Sequence, residues 1–211
     1  MGNRAVITDE GRNIAVYLHW NGGRDSVEGF LEYCKRKGCR GFGDDTPYAA
    51  ARLTQVVANF MGGTLSVGVM PKAYAGEDNG LYIVKGWDIV GRKYEKYDEK
   101  SGGYKEVNFP KSWEQHEYKL VDMLEAIDEN QPERDKLGDL CRARLVSVSS
   151  LKVGDKIWQA GDKEPHEILG FGEDKVVNGH NVKGLARLNR YGDGDETNPN
   201  NYVYDDSVYI L

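Results

Sequence analysis

The hydrophobic rhythm of this chain changes once, near residue 140, and that change limits the folds open to it. Before it, runs with apolar residues at helical spacing alternate with short β-like runs; after it, six short β-like runs follow one another, divided by turn residues. Helical spacing buries a stripe and strand alternation buries a face. The pattern therefore predicts an α+β fold, with an antiparallel sheet and about three helices in a mixed front part. A small all-β part follows, an SH3-like barrel or sandwich. The division is placed at residues 1–138 and 139–211, where the polar stretch Arg134 to Leu140 intervenes.

Within the front part, Ala5 to Thr8 and Ile14 to Trp20 read as a hairpin. Asn21-Gly22-Gly23 stops the second strand, and Asp25 and Ser26 offer N-cap chemistry for a helix through Val27, Phe30, Leu31 and Cys34. A second helix is predicted from Thr46-Pro47, a hydroxyl cap followed by proline at the first helical position, to Phe60. Leu65 to Met70 reads as a strand, and Leu81 to Val84 with Trp87 to Tyr94 as a hairpin about Lys85-Gly86. Tyr97 to Lys105 reads as a charged, glycine-bearing loop, and Tyr118 to Ile127 as a third helix. In the back part the β-like runs are Arg142 to Val148, Asp155 to Gln159, Glu167 to Phe171, Lys175 to Val177, Val182 to Leu188 and Tyr202 to Leu211. Glycine supports this density of turns: 26 residues is roughly 12% of the chain, against a usual ~7%, with no Gly-X-Y period.

Charge narrows the function classes. The formal net charge is -6, whereas gripping a phosphate backbone needs a concentrated basic face. The basic run Lys35-Arg36-Lys37 ends a predicted helix, where cations complement the helix dipole. Direct nucleic-acid binding is not expected; a partner with a basic surface is. Three cysteines, Cys34, Cys39 and Cys141, form no CxxC pair, which fits reduced thiols in a reducing compartment. No apolar signal core or membrane-length apolar run is seen, so a cytoplasmic protein without membrane attachment is expected.

Candidate sites are few. His19, His116, His166 and His180 share no ligand spacing with the cysteines, and no metal or other cofactor is expected. Asp193, Asp195 and Glu196 form half of a calcium loop without its glycine or terminal glutamate, and read as an acidic hairpin tip. Together with Tyr202, Tyr204, Asp205 and Asp206 they mix acidic and tyrosine side chains in the manner of a protein-binding edge.

The corner Asn21-Gly22-Gly23-Arg24-Asp25-Ser26, between a strand and a helix, is similar to the PP-loop of ATP pyrophosphatases. The resemblance implies Gly22, Gly23 and the amides of Asp25 and Ser26 around a pyrophosphate, with Arg24 steering charge, in an adenylating enzyme. Asn21 stands where that family has a serine, and an antiparallel partner precedes the strand where that family continues as a parallel sheet. The plainer reading is a bend with a helix cap, and the nucleotide reading is the alternative.

Met1-Gly2-Asn3-Arg4-Ala5-Val6-Ile7 and the stretch Tyr17 to Glu28 (Tyr-Leu-His-Trp-Asn-Gly-Gly-Arg-Asp-Ser-Val-Glu) resemble a protein family carried by phages and mobile elements of Gram-positive gut bacteria. Asn79 to Val84 extends the likeness. The resemblance brings no catalytic residues. It implies an accessory product of the bacterial cytoplasm, and with the acidic charge it favours a non-enzymatic inhibitor or modulator of a host protein. An anti-CRISPR or other anti-defence protein that occludes a basic nucleic-acid channel is the sharpest form of that expectation. A peptide- or RNA-binding role for the β part is a further alternative.

Overall fold

The run Ala5-Val6-Ile7-Thr8 lacks polar alternation, the mark of a strand covered on both faces. In the computed structural model it is β1 (Ala5–Thr8), with all four residues buried. The structure describes residues 3–63, 66–114, 117–172, 175–177, 180–182, 186–188, 203 and 207–211. The fold is α+β, and the chain divides into two compact units, Met1–Lys35 with Cys39–Cys141, and Arg36–Gly38 with Arg142–Leu211.

In the first unit β1 lies near the middle of a six-stranded sheet. Its other strands are β2 (Ala15–Leu18), β3 (Val67–Met70), β4 (Leu81–Lys85), β5 (Asp88–Asp98) and β6 (Gly103–Asn108), in the order β3-β2-β1-β4-β5-β6. Only the β1–β4 pair is parallel. Because side chains alternate, Ile7, Val16, Leu18, Tyr82 and Val84 pack with helices α1 (Arg24–Arg36), α2 (Thr46–Phe60) and α3 (Leu120–Glu129). Val6, Ala15 and Leu81 form a second, smaller cluster with Ala73 and Ala75. Among the described residues, no helix is long and apolar enough to cross a membrane.

Three local expectations give way. Tyr97 to Lys105 is not a loop: the ladder continues through Tyr97↔Tyr104 to Asp98↔Gly103, and only the turn between them is irregular. Asp98 closes that turn by accepting from the Lys100 amide at 3.2 Å and the Ser101 hydroxyl at 2.9 Å. Second, the cap of α2 is Asp45, whose Oδ1 accepts from the Tyr48 amide at 3.3 Å. The Thr46 hydroxyl instead donates to Asp9 and accepts from the Gly43 amide. Third, α1 starts at Arg24, which puts Asp25 and Ser26 inside its first turn, and Gly23 supplies the carbonyl that accepts from Val27 at 3.0 Å.

The second unit holds an antiparallel sheet ordered β12-β9-β8-β13-β7, where β7 is Arg144–Ser147, β8 Lys156–Trp158, β9 His166–Phe171, β12 Ala186–Leu188 and β13 Ser207–Ile210. A separate two-stranded sheet pairs β10 (Lys175–Val177) with β11 (His180–Val182). The single run expected over Val182 to Leu188 is thus split between two sheets. Leu151, Ile157, Ile168, Leu188, Val203 and Val208 form this unit's core. Arg36, 4% exposed, stacks on the Tyr209 ring at 4.7 Å and donates to the Ala143 carbonyl at 2.9 Å.

Candidate functional site

The Asn21–Ser26 corner is built for close packing. Asn21 has φ +55°, a left-handed turn that asparagine tolerates better than most residues. The Gly22 amide donates to the Asn3 carbonyl at 2.8 Å, and the Gly22 carbonyl accepts from the Tyr82 hydroxyl at 3.0 Å. A Cβ on Gly22 would lie 2.7 Å from both the Ala5 Cβ and the Asn3 carbonyl oxygen. The glycine is there so that the bend can press on the start of β1.

Asp25 then takes the place a phosphate would want. Its Oδ1 accepts from the Ser26 amide at 2.7 Å, and its Oδ2 from the amides of Glu117 and Tyr118 at 2.9 and 3.1 Å. A carboxylate in the first helical turn suits the dipole, and here it also ties the approach to α3 onto the start of α1. β2, the strand that feeds the corner, is antiparallel to both its neighbours. The six residues of the nucleotide alternative are therefore brought together, with the Gly22 amide and carbonyl, the Asp25 carboxylate and the Ser26 amide all taken up by protein partners.

A second cluster lies beside this corner. Tyr82, Arg92 and Phe109 form a row across β4, β5 and the end of β6: Tyr82 is the register partner of Arg92, and the Phe109 amide donates to the Arg92 carbonyl at 2.9 Å. The Arg92 guanidinium lies between the two rings, 4.4 Å from the Tyr82 centroid and 3.5 Å from that of Phe109. Its Nε and Nη2 donate to the carbonyl and side-chain oxygens of Asn79 at 3.0 and 2.9 Å. Nη1 is buried, makes no hydrogen bond, and lies 3.8 Å from Glu114 Oε1. Arg24 reaches the same oxygen with Nη1 at 3.2 Å, and its Nε donates to Glu28 at 2.5 Å.

Electrostatics follow from this crowding. Burial, aided by the Arg24 charge, lowers the Arg92 pKa against the opposing pull of Tyr82 and Glu114. Burial also weighs against Arg24, but its hydrogen bond to Glu28 and the Glu28 and Glu114 charges raise it overall. Burial raises the Tyr82 pKa against the nearby arginines. Arg24 also borders an open groove of about 320 Å³ lined with Glu28, Glu32, Asp88, Trp87 and Leu120. Chemically the cluster sets two guanidiniums against the carboxylates of Glu28 and Glu114. Among the described residues no group of three or more His, Cys, Asp or Glu side chains is placed to hold a metal ion.

The third feature is an aromatic edge. β6 is the last strand of its sheet, and Tyr104 on it is 71% exposed, with its register partner Tyr97 at 52%. Their rings meet edge-on at 5.4 Å. Trp113, 58% exposed, leans on Tyr94 and Phe109 at 5.4 and 6.0 Å. None of Arg92, Glu114, Tyr104 or Trp113 was singled out from sequence. The available signal was the hairpin register, which sets Arg92 opposite the core-facing Tyr82. The expected partner contacts Asp193, Asp195, Glu196, Tyr202, Tyr204, Asp205 and Asp206 lie outside the described residues. Compared with known proteins, the chain matches no family model, no curated protein and no solved structure.

Proposed function

We propose that this chain is a non-enzymatic, acidic binding protein that inhibits or modulates a host protein in the bacterial cytoplasm, with an anti-defence role of the anti-CRISPR kind as its specific form. The observation that supports this most is the open β6 edge, where Tyr104 and its register partner Tyr97 expose large rings on a hydrogen-bonded scaffold. Tyrosine and tryptophan dominate interface energetics because they bury much area while losing little rotamer freedom. An unpaired strand also offers main-chain donors and acceptors to an extended segment of a partner. The net charge of -6 favours a partner with a basic surface, such as a nucleic-acid channel.

Affinity capture from host lysate, at low and then moderate salt, tests the reading. The wild type is expected to retain a defence nuclease or guide-RNA complex at low salt and to lose it as salt screens the charges. Tyr97→Ser with Tyr104→Ser is expected to lose it at both. Capture without any defence component would sink the anti-defence role, and capture unaffected by the tyrosine pair would remove the β6 edge from it.

A further inference from the structure

We propose that Arg24 and Arg92 form a receptor for a small tetrahedral oxyanion of the phosphate class, whose place Glu114 holds in this structure. This site lies on the α1 side of the sheet and takes a ligand of different chemistry from the partner proposed above. The Arg92 side chain is 4% exposed. Two of its three nitrogens are fixed on Asn79 and its plane is held between Tyr82 and Phe109, so Nη1 points in one direction only. A buried donor without an acceptor is costly. Nη1 nevertheless has only a carboxylate 3.8 Å away, within ion-pair reach and beyond hydrogen-bond length.

Glu114 fails to serve both arginines because it is tethered. Oε1 lies within bonding distance of Arg24 at 3.2 Å and leaves Arg92 short. A free phosphate has several oxygens spread tetrahedrally and no backbone to restrain it, so it can place separate oxygens on the two guanidiniums. The nearby start of α1 adds little, because the Asp25 carboxylate already sits in its first turn and is a further negative charge the anion must tolerate. Solvent reaches the side chains of Arg24 and Glu114, 24% and 18% exposed, and Glu114 must swing aside before an anion meets the buried Arg92 Nη1. Glu28, bonded to Arg24 Nε, is another internal carboxylate the anion must tolerate.

Calorimetric titration of the full chain with inorganic phosphate, against chloride of matched ionic strength and against acetate, tests this. Saturable phosphate binding is expected in the wild type, with acetate weaker because one planar carboxylate only repeats what Glu114 does. Glu114→Gln should bind phosphate about tenfold more tightly, since the competing charge is gone. Phosphate should also raise its melting temperature more than that of the wild type. Arg24→Gln, a part-exposed side chain whose loss opens no core, should abolish saturation, and Arg92→Lys, which keeps charge without the planar fork, should weaken it. No saturable phosphate heat in either the wild type or Glu114→Gln would overturn the proposal. So would equal affinity in Glu114→Gln and Arg24→Gln, or acetate binding as well as phosphate.

Discussion

Gly22 and Gly29 separate two kinds of crowding at the scale of single residues. A Cβ on Gly22 would strike backbone, 2.7 Å from the Asn3 carbonyl and 2.8 Å from the Arg4 carbonyl carbon, whereas one on Gly29 would strike the Met123 side chain at 2.4 Å. Methionine can change rotamer; β1 cannot move without its ladder. Gly22→Ala is expected to cost about 1–3 kcal/mol in denaturant unfolding, and Gly29→Ala measurably less. Tyr33 gives a pH prediction. It is 1% exposed and donates to Asp128 at 2.6 Å; burial first, then that bond, raise its pKa far above the ordinary tyrosine value. The folded state therefore keeps its proton where the unfolded chain releases it. Its contribution is complete below the ordinary value of about 10 and declines as pH rises beyond it. Unfolding free energies taken across that range should fall, and Tyr33→Phe should flatten the slope. A slope unchanged by the substitution would refute the assignment.

Caps and ladders decide the outcome at the scale of elements. The sequence pointed to Thr46, before Pro47, as the α2 cap, and local pattern does not show that the residue before it takes the role. Tertiary contact with Asp9 draws Thr46 away and leaves Asp45 to cap. Asp45→Ala is accordingly expected to lower stability by about 1 kcal/mol, read from a chemical melt; no loss would return the capping role to Thr46. The β5–β6 hairpin was illegible because its outer half carries charge where strand patterning wants alternation. Like charges even face each other, Glu95 opposite Glu106 and Lys96 opposite Lys105. Such pairs are unfavourable, and both are relieved by a third residue of opposite charge. Arg12 holds Glu106 through two bonds of 2.7 and 2.8 Å, and Asp98 pairs with Lys105. The first relief cannot be read from local sequence, since Arg12 lies on the far side of the sheet order; the second comes from within the hairpin itself.

Across the whole molecule, the fold class and most helices were legible because burial imposes period wherever an element has one wet face. The corner was legible as a bend, since Gly22 and Gly23 can do little else between a strand and a helix. The Arg24–Arg92–Glu114 cluster was not, because it depends on register across three strands and on a segment far along the chain. The middle of the open β6 edge, Lys105 followed by Glu106, carries one last consequence. Two copies of an antiparallel strand related by a dyad must centre on a residue facing its own twin. Centred here, that is lysine against lysine or glutamate against glutamate, an arrangement that repels. Self-pairing about this edge is therefore driven off its middle, toward a centre at Tyr104 or Val107, whose twins carry no charge.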